Sequence, residues 1–414
     1  MSAAASGKPA EVDVAIVGGG MVGASFAAAL AGTGRRLLLA ESVPFGADAQ
    51  PSFDERTTAL GNASRRIFEG LGVWGEIAPE AAAIRAIHVS EAGRFGFARL
   101  RAEEQGIDAF GYVVANRCIG AALWKRLAGA SDLELCAPAR LQQMTVAGEC
   151  VRLGLMNGAG TLREVSARLV VAADGADSQI RAAAGIATDV EDYDQVAVVA
   201  GVVADRAGEG CAYERFTAEG PLALLPRHDG TLAVIWACRP ERARELLALD
   251  ERGYLAQLQG HFGWRAGRFL HAGRRGSYPL KLTRAAATVA QRTVLIGNAA
   301  QALHPVAGQG FNLGLRDAAM LAEVLASAPG DAGAPELLER FAAWRARDRR
   351  GVVGFTDGLV RLFGDSRPGA GLLRNFGLLL FDLAPPAKSA LARVSAGFGG
   401  PTPRLARGLK VRDV

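Results

Sequence analysis

Three clusters of residues in this sequence could do chemistry, and in each the active feature is bare backbone more than a reactive side chain. The first is Gly18-Gly19-Gly20-Met21-Val22-Gly23, a G-x-G-x-x-G that follows the apolar run Val12–Val17 and opens the small-residue stretch Met21–Ala31. In a strand–turn–helix unit, Gly18 permits the tight turn, Gly20 lets backbone approach a pyrophosphate, and Gly23 lets the helix pack on the strand. The helix start, with Met21 and Val22, then offers unpaired N–H groups and the positive end of its dipole to phosphates. Glu41 lies 18 residues past Gly23, at the end of a second apolar run, Arg36–Ala40. A carboxylate there can accept from a ribose hydroxyl. The pattern predicts dinucleotide binding without separating FAD from NAD.

The second cluster is Asp174-Gly175-Ala176-Asp177-Ser178, after the apolar run Ala167–Ala173. An Asp-Gly at the end of a parallel strand serves a ligand or simply turns the chain. The third is the long stretch from Leu295 to Asp317. Its strand ends at Gly297, its loop holds Asn298, His304, Pro305 and two glycines, and a helix follows. The amides of Gly308, Gln309, Gly310, Phe311 and Asn312 at that helix start can surround an anionic group such as a reduced flavin. A turn leading into a core helix would read the same way.

These clusters need a frame to hold them. The chain has 414 residues, 50% of them hydrophobic and 21% charged, so two or three domains' worth of packed chain is expected. Glycine is abundant, at 52 residues, without a collagen-like period. The net charge of +5 is too mild to suggest nucleic acid. Cys118, Cys136, Cys150, Cys211 and Cys238 form no C-x-x-C pair, so neither a disulfide framework nor a metal site is expected. No secretory signal and no membrane-spanning run is visible. The runs 12–17, 36–40, 167–173 and 293–297 read as one parallel sheet with crossover helices. Val196–Val203 and Thr231–Ala237 are longer and β-branched, and His228-Asp229-Gly230 is a turn; they read as an antiparallel sheet inserted between the parallel strands. The expected division is a nucleotide-binding domain from 1–75, 105–185 and 286–340, a substrate domain from 76–104 and 186–285, and a helical region at 341–414.

Taken together, the three motifs resemble the class A FAD-dependent aromatic hydroxylases, and within them the ubiquinone-biosynthesis hydroxylases, closest to the 2-octaprenyl-6-methoxyphenol hydroxylase branch. Phe53-Asp54-x-Arg56, Gly220–Pro226, Ser277-Tyr278-Pro279-Leu280 and Gly354–Leu359 carry the resemblance along the chain. Asn298 and Gln301 stand where many relatives have Asp and His, in keeping with that branch. The implied fold is α/β: a Rossmann-like FAD-binding domain with an inserted, mostly antiparallel substrate sheet and a C-terminal helical region. FAD is the implied bound cofactor, NAD(P)H the transient donor and O2 the co-substrate, with oxygen delivered through a flavin hydroperoxide. The resemblance places the adenosine ribose on Glu41, cofactor phosphates on Arg56, the flavin near Arg117, and both FAD and the donor near Asp174. It assigns no catalytic side chain, because the flavin carries the chemistry; His304 and Pro305 line the flavin loop. Leu224, Leu225, Pro226 and Trp236 are the expected substrate wall. The implied substrate is a polyprenyl phenol; other ring positions, a soluble aromatic metabolite or a non-catalytic flavin-holding scaffold are the alternatives. Partners expected beyond it are a membrane surface, met by Leu372–Leu383 with the arginines at 345–350, and a biosynthetic complex or a second copy of the chain; nucleic acid is not among them. The expected location is cytoplasmic, peripheral on the inner face of the membrane.

Overall fold

The computed structural model describes residues 10–44, 56–206, 210–303, 308–364 and 402–412, with scattered residues between 384 and 400. The strand Ala10–Val17 lies at the centre of a parallel sheet. Leu37–Ala40 pairs with it on one side, followed by Leu133–Cys136; Leu162–Ala172 pairs on the other, followed by Thr293–Leu295. The stretches Val14–Val17, Leu37–Ala40 and Leu169–Ala172 are wholly apolar because both faces of the sheet are covered there. Val14 and Ile16 pack into one core with the helices Met21–Leu30, Asn116–Ala128 and Gln309–Ala326. Val12, Ala15 and Val17 enter a second core with Val151, Leu153 and Leu155. That second face is closed by Ala139–Ala147 and Cys150–Asn157, an antiparallel ribbon continuing from Leu162–Ala172.

Among the described residues the second sheet has nine strands. Thr188–Ala204, Leu232–Cys238, Pro221–Pro226 and Cys211–Phe216 follow one another antiparallel, and Gly276–Ala285 pairs with the free side of Thr188–Ala204. Ala86–Glu91 joins Cys211–Phe216 in parallel, and Phe97–Arg101 closes that edge. One face packs on the helices Pro240–Ala248 and Glu251–Phe262 through Val198, Leu222, Val234, Tyr254, Leu258 and Phe262. The other face looks toward the nucleotide sheet. A small sheet of Thr57–Gly61, Gly111–Ala115 and Ala82–Ile84 stands beside them.

Two elements run across the expected divisions. Gln301–Ala302, within the third nucleotide-binding segment, pairs with Gly276–Ala285 at the edge of the second sheet. The last long helix runs Pro335–Gly364 and so begins before residue 341. The arginines at 345–350 do not form an exposed cluster. Arg345 and Arg349 are one helical turn apart on the inward face. Arg345 is fully buried among acidic partners, and Arg349 donates to the Ala300 carbonyl. Only Arg347 and Arg350 are exposed, so the expected basic surface is corrected to half its size. Leu372–Leu383 lies outside the described residues. Among the described residues, no helix is long and apolar enough to cross a membrane.

Candidate functional site

Register brings the three motifs together. Val17 is paired with Ala172, and Ala172 with Leu295, so three adjacent parallel strands end in one row. The Gly18, Asp174 and Gly297 turns leave from that row side by side. Gly18 holds φ +102°, and a Cβ on it would sit 2.3 Å from the Ala173 carbonyl oxygen. A Cβ on Gly23 would sit 1.9 Å from the Gly18 carbonyl oxygen. The turn and the first helix therefore close on each other only without side chains. Gly20, by contrast, has ordinary extended backbone, φ −62° and ψ 177°. It lines the cavity described below, where absence of a side chain leaves room for a ligand.

Glu41 is buried beside this turn. Its carboxylate accepts from the Gly19 N–H at 2.6 Å, from the Ser42 hydroxyl at 2.9 Å and from the Val43 N–H at 3.0 Å. The carboxylate is thereby fixed at the strand end, next to the Gly18 turn. Asp174 accepts from the Ile180 N–H at 3.2 Å through Oδ2, while its Oδ1 is buried with no hydrogen-bond partner. A buried orphan acceptor between two glycine turns calls for a donor from a ligand. The hydroxyls and N–H groups of a flavin nucleotide supply such donors. Arg181, which sequence reasoning missed, donates to the Ala176 and Ala299 carbonyls at 2.7 and 3.0 Å, tying the Asp174 and Gly297 turns together. Its signal was the arginine three residues after the helix-capping Ser178.

Gly308 caps the helix Gln309–Ala326 in the left-handed region, φ +59°. The amides of the first turn face the cavity through Gly310 and Phe311. The Asn312 side chain is held by the protein instead. Asn312 accepts from the Gly61 N–H and the Ser64 hydroxyl, and donates to the Ala59 and Gly308 carbonyls, all between 2.6 and 2.8 Å. Its amide side chain has no capacity left for a cofactor. It acts as a bracket between the helix start and the Thr57–Gly61 strand. His304 and Pro305 lie outside the described residues.

The motifs open onto one cavity of about 490 Å³ between the two sheets. Gly20, Met21, Val22, Arg56, Asn298, Gly308, Gly310 and Phe311, all expected cofactor contacts, line it from the nucleotide side. Arg56 also lies over the Tyr278 ring, 5.7 Å from its centroid. Arg117 is exposed on its helix and does not line the cavity; the neighbouring Asn116 does, held by the Thr58 hydroxyl at 2.7 Å.

From the sheet side the wall is Ala223, Leu225, Ile235, Ala237 and Tyr278, with Glu214 among them. Leu225 is the one expected wall residue found there. Leu224 and Trp236 are fully buried against the helices on the opposite face, and Pro226 shares the parity of Leu224. Strand side chains alternate faces, so these three assignments are corrected by one residue of phase.

A family profile described as "FAD binding domain" matches residues 11–356. The chain is 37% identical over 404 residues to the "Ubiquinone hydroxylase UbiL" of Rhodospirillum rubrum, covering 96% of this chain and 93% of that protein. It is 32% identical to the "3-demethoxyubiquinol 3-hydroxylase" of Escherichia coli, covering 93% and 98% of the two chains. Its fold matches the crystal structure of p-nitrophenol 4-monooxygenase PnpA from Pseudomonas putida with a TM-score of 0.79 and 19% identity, over 94% of this chain and 99% of that one. The glycine turns, the orphan Asp174 oxygen and the helix-start amides suit a flavin nucleotide, and the matches span nearly the whole chain. The chain belongs to the FAD-dependent hydroxylase family that includes the ubiquinone hydroxylases.

Proposed function

We propose that this protein is a monooxygenase that uses FAD, NAD(P)H and O2 to hydroxylate the aromatic ring of a polyprenyl phenol of the 2-polyprenyl-6-methoxyphenol type in ubiquinone biosynthesis. The observation that carries the reading is the shared cavity. Ligand-sized backbone turns form one side and an apolar sheet face forms the other. An aromatic ring resting on Leu225, Ile235 and Ala237 would face the nucleotide turns directly. The quinol substrate named for the Escherichia coli relative supports the same class.

When bound, FAD supplies hydride acceptance from NAD(P)H and activation of dioxygen. The chain itself binds, orients and excludes water. Gly18 and Gly20 would make room for the pyrophosphate, Glu41 would meet the adenosine ribose, and the Asp174 Oδ1 would take a donor from the cofactor. The Gly308–Phe311 amides favour negative charge at the flavin edge. The apolar wall keeps water from the reacting ring. A prenyl tail adds about 0.8 kcal/mol of binding for each methylene it removes from water.

The test is turnover of defined phenols by the purified, FAD-loaded protein. NAD(P)H oxidation should rise with a prenylated methoxyphenol, and mass spectrometry should find a product with one added oxygen. Stimulation only by tail-free aromatic acids would replace the substrate class. A protein that takes up no FAD would end the reading.

A further inference from the structure

We infer that Glu214 receives the phenolic hydroxyl of the substrate and takes its proton during ring hydroxylation. The inference rests on the proposed hydroxylase reading and adds to it a residue of the sheet wall.

The placement is set by strand alternation. In Cys211–Phe216, Ala212 and Glu214 line the cavity, while Arg215 turns away to donate to the His261 carbonyl at 3.1 Å and the Ser90 hydroxyl at 3.4 Å. Glu214 sits between Val89 and Ala223 of the flanking strands, neither of which has a side-chain donor. Among the described residues it has no hydrogen-bond or ion-pair partner. It and Arg56 are the two charged side chains among the described cavity-lining residues. Arg56 stays over the Tyr278 ring. Tyr278 is the other titratable side chain on the wall, while the ring of Tyr213, which adjoins the cavity, packs against Phe262 on the opposite face.

An unpaired carboxyl in an apolar wall is costly for folding alone. Burial pushes this one up to about 7. The side chain nevertheless keeps partial accessibility. A group enclosed by protein yet touched by solvent faces a cavity, and Glu214 lines this one. A carboxylate raised toward 7 closes about half of the gap between an ordinary glutamate and a phenol, so it takes the phenolic proton more readily than an exposed glutamate does. In the step, the phenol O–H bond breaks, the proton goes to the Glu214 oxygen, and the electron pair stays on the phenolate oxygen. The ring becomes a better nucleophile, and no oxidant is consumed in the transfer itself.

The experiment uses the full-length, FAD-loaded protein with 2-methoxyphenol and 1,2-dimethoxybenzene as paired probes, binding being measured by equilibrium dialysis. Wild type should prefer the phenol by about tenfold, the scale of one hydrogen bond to a charged group. Glu214→Gln should bind both probes alike, and Glu214→Asp should keep part of the preference. In turnover, wild-type kcat/KM should rise with pH through about 7. Glu214→Gln should lose that rise and roughly 100-fold in kcat. A Gln variant that keeps both the preference and the pH rise overturns the assignment. If wild type prefers the phenol through Glu214 but never couples it to NAD(P)H oxidation, the hydroxylase reading fails while Glu214 stands as the phenol acceptor.

Discussion

Arg345 donates through Nε to Asp317 Oδ1 at 2.6 Å, and both side chains are essentially sealed from solvent. The other Asp317 oxygen accepts from the Gly297 N–H at 3.0 Å and from the Gln301 amide at 2.8 Å. Asp348 joins the network from the helix Pro335–Gly364 and also takes Arg316 at 2.8 Å. A helix far along the chain thus holds the strand-end turn that borders the cavity. Removing one partner leaves an uncompensated buried charge, at a cost of about 3–5 kcal/mol. Arg345→Met should therefore unfold at clearly lower denaturant and retain little FAD. Adding Asp317→Leu should restore part of the stability but not the FAD, because the Gly297 anchor is gone. Denaturant titration and flavin content check both.

Gly310 separates ligand fit from folding. A Cβ there would meet no protein atom within 4 Å, and its backbone is ordinary helix. Gly310→Ala should leave the FAD-free chain as stable or up to about 1 kcal/mol more stable. The same methyl points into the cavity and should weaken FAD binding, measurable by flavin fluorescence titration. Gly23→Ala should instead fail to fold, since its methyl would enter the Gly18 carbonyl.

The two neighbouring leucines should respond oppositely. Leu224 is fully buried under the helices, so Leu224→Ala should cost about 2–5 kcal/mol with KM for a phenol little changed. Leu225 lines the cavity, so Leu225→Trp should narrow it and raise KM severalfold, with a smaller change in melting temperature. Paired thermal melts and steady-state kinetics read both.

The same pair shows where the sequence stopped being legible. The turns after Val17, Ala172 and Leu295 could be read because glycine spacing and unbroken apolar runs both point to strand ends in a parallel sheet. Their common row is a matter of register, but it follows once those runs are accepted as neighbours. In Pro221–Pro226 every position is apolar and the strand is covered on both faces. No alternation remained to tell Leu224 from Leu225. Asn312 sat in a cofactor motif, yet its amide is consumed by Gly61, Ser64, Ala59 and Gly308, partners 4 to 253 residues away. Glu214, inside Tyr-Glu-Arg, looked like any polar strand position. Arg345 looked like part of a surface charge run, because its partners on Asp317 and Asp348 exist only in the folded packing.

His88 gives the fold a pH dependence separate from catalysis. It is buried beside Arg265, Arg99 and Arg215, and burial followed by those charges lowers its pKa from 6.5 to about 4. In the unfolded chain the ring takes up a proton below about 6.5, while the folded ring stays neutral. Stability should be full above that pH and decline as pH falls toward about 4. His88→Asn should flatten this part of the stability curve, at some cost in packing against Phe97 and Tyr213. Urea midpoints between pH 7 and 4 check the slope.

The proposed function requires the row of glycine turns to hold FAD against a phenol resting on the opposite sheet. The most direct measurement is turnover of a prenylated methoxyphenol by the FAD-loaded protein with NAD(P)H under isotopically heavy dioxygen. A ring product carrying one heavy oxygen, with its yield tracking NAD(P)H consumed, is the expected result. An unaltered phenol, or a product whose new oxygen comes from water, would contradict the account.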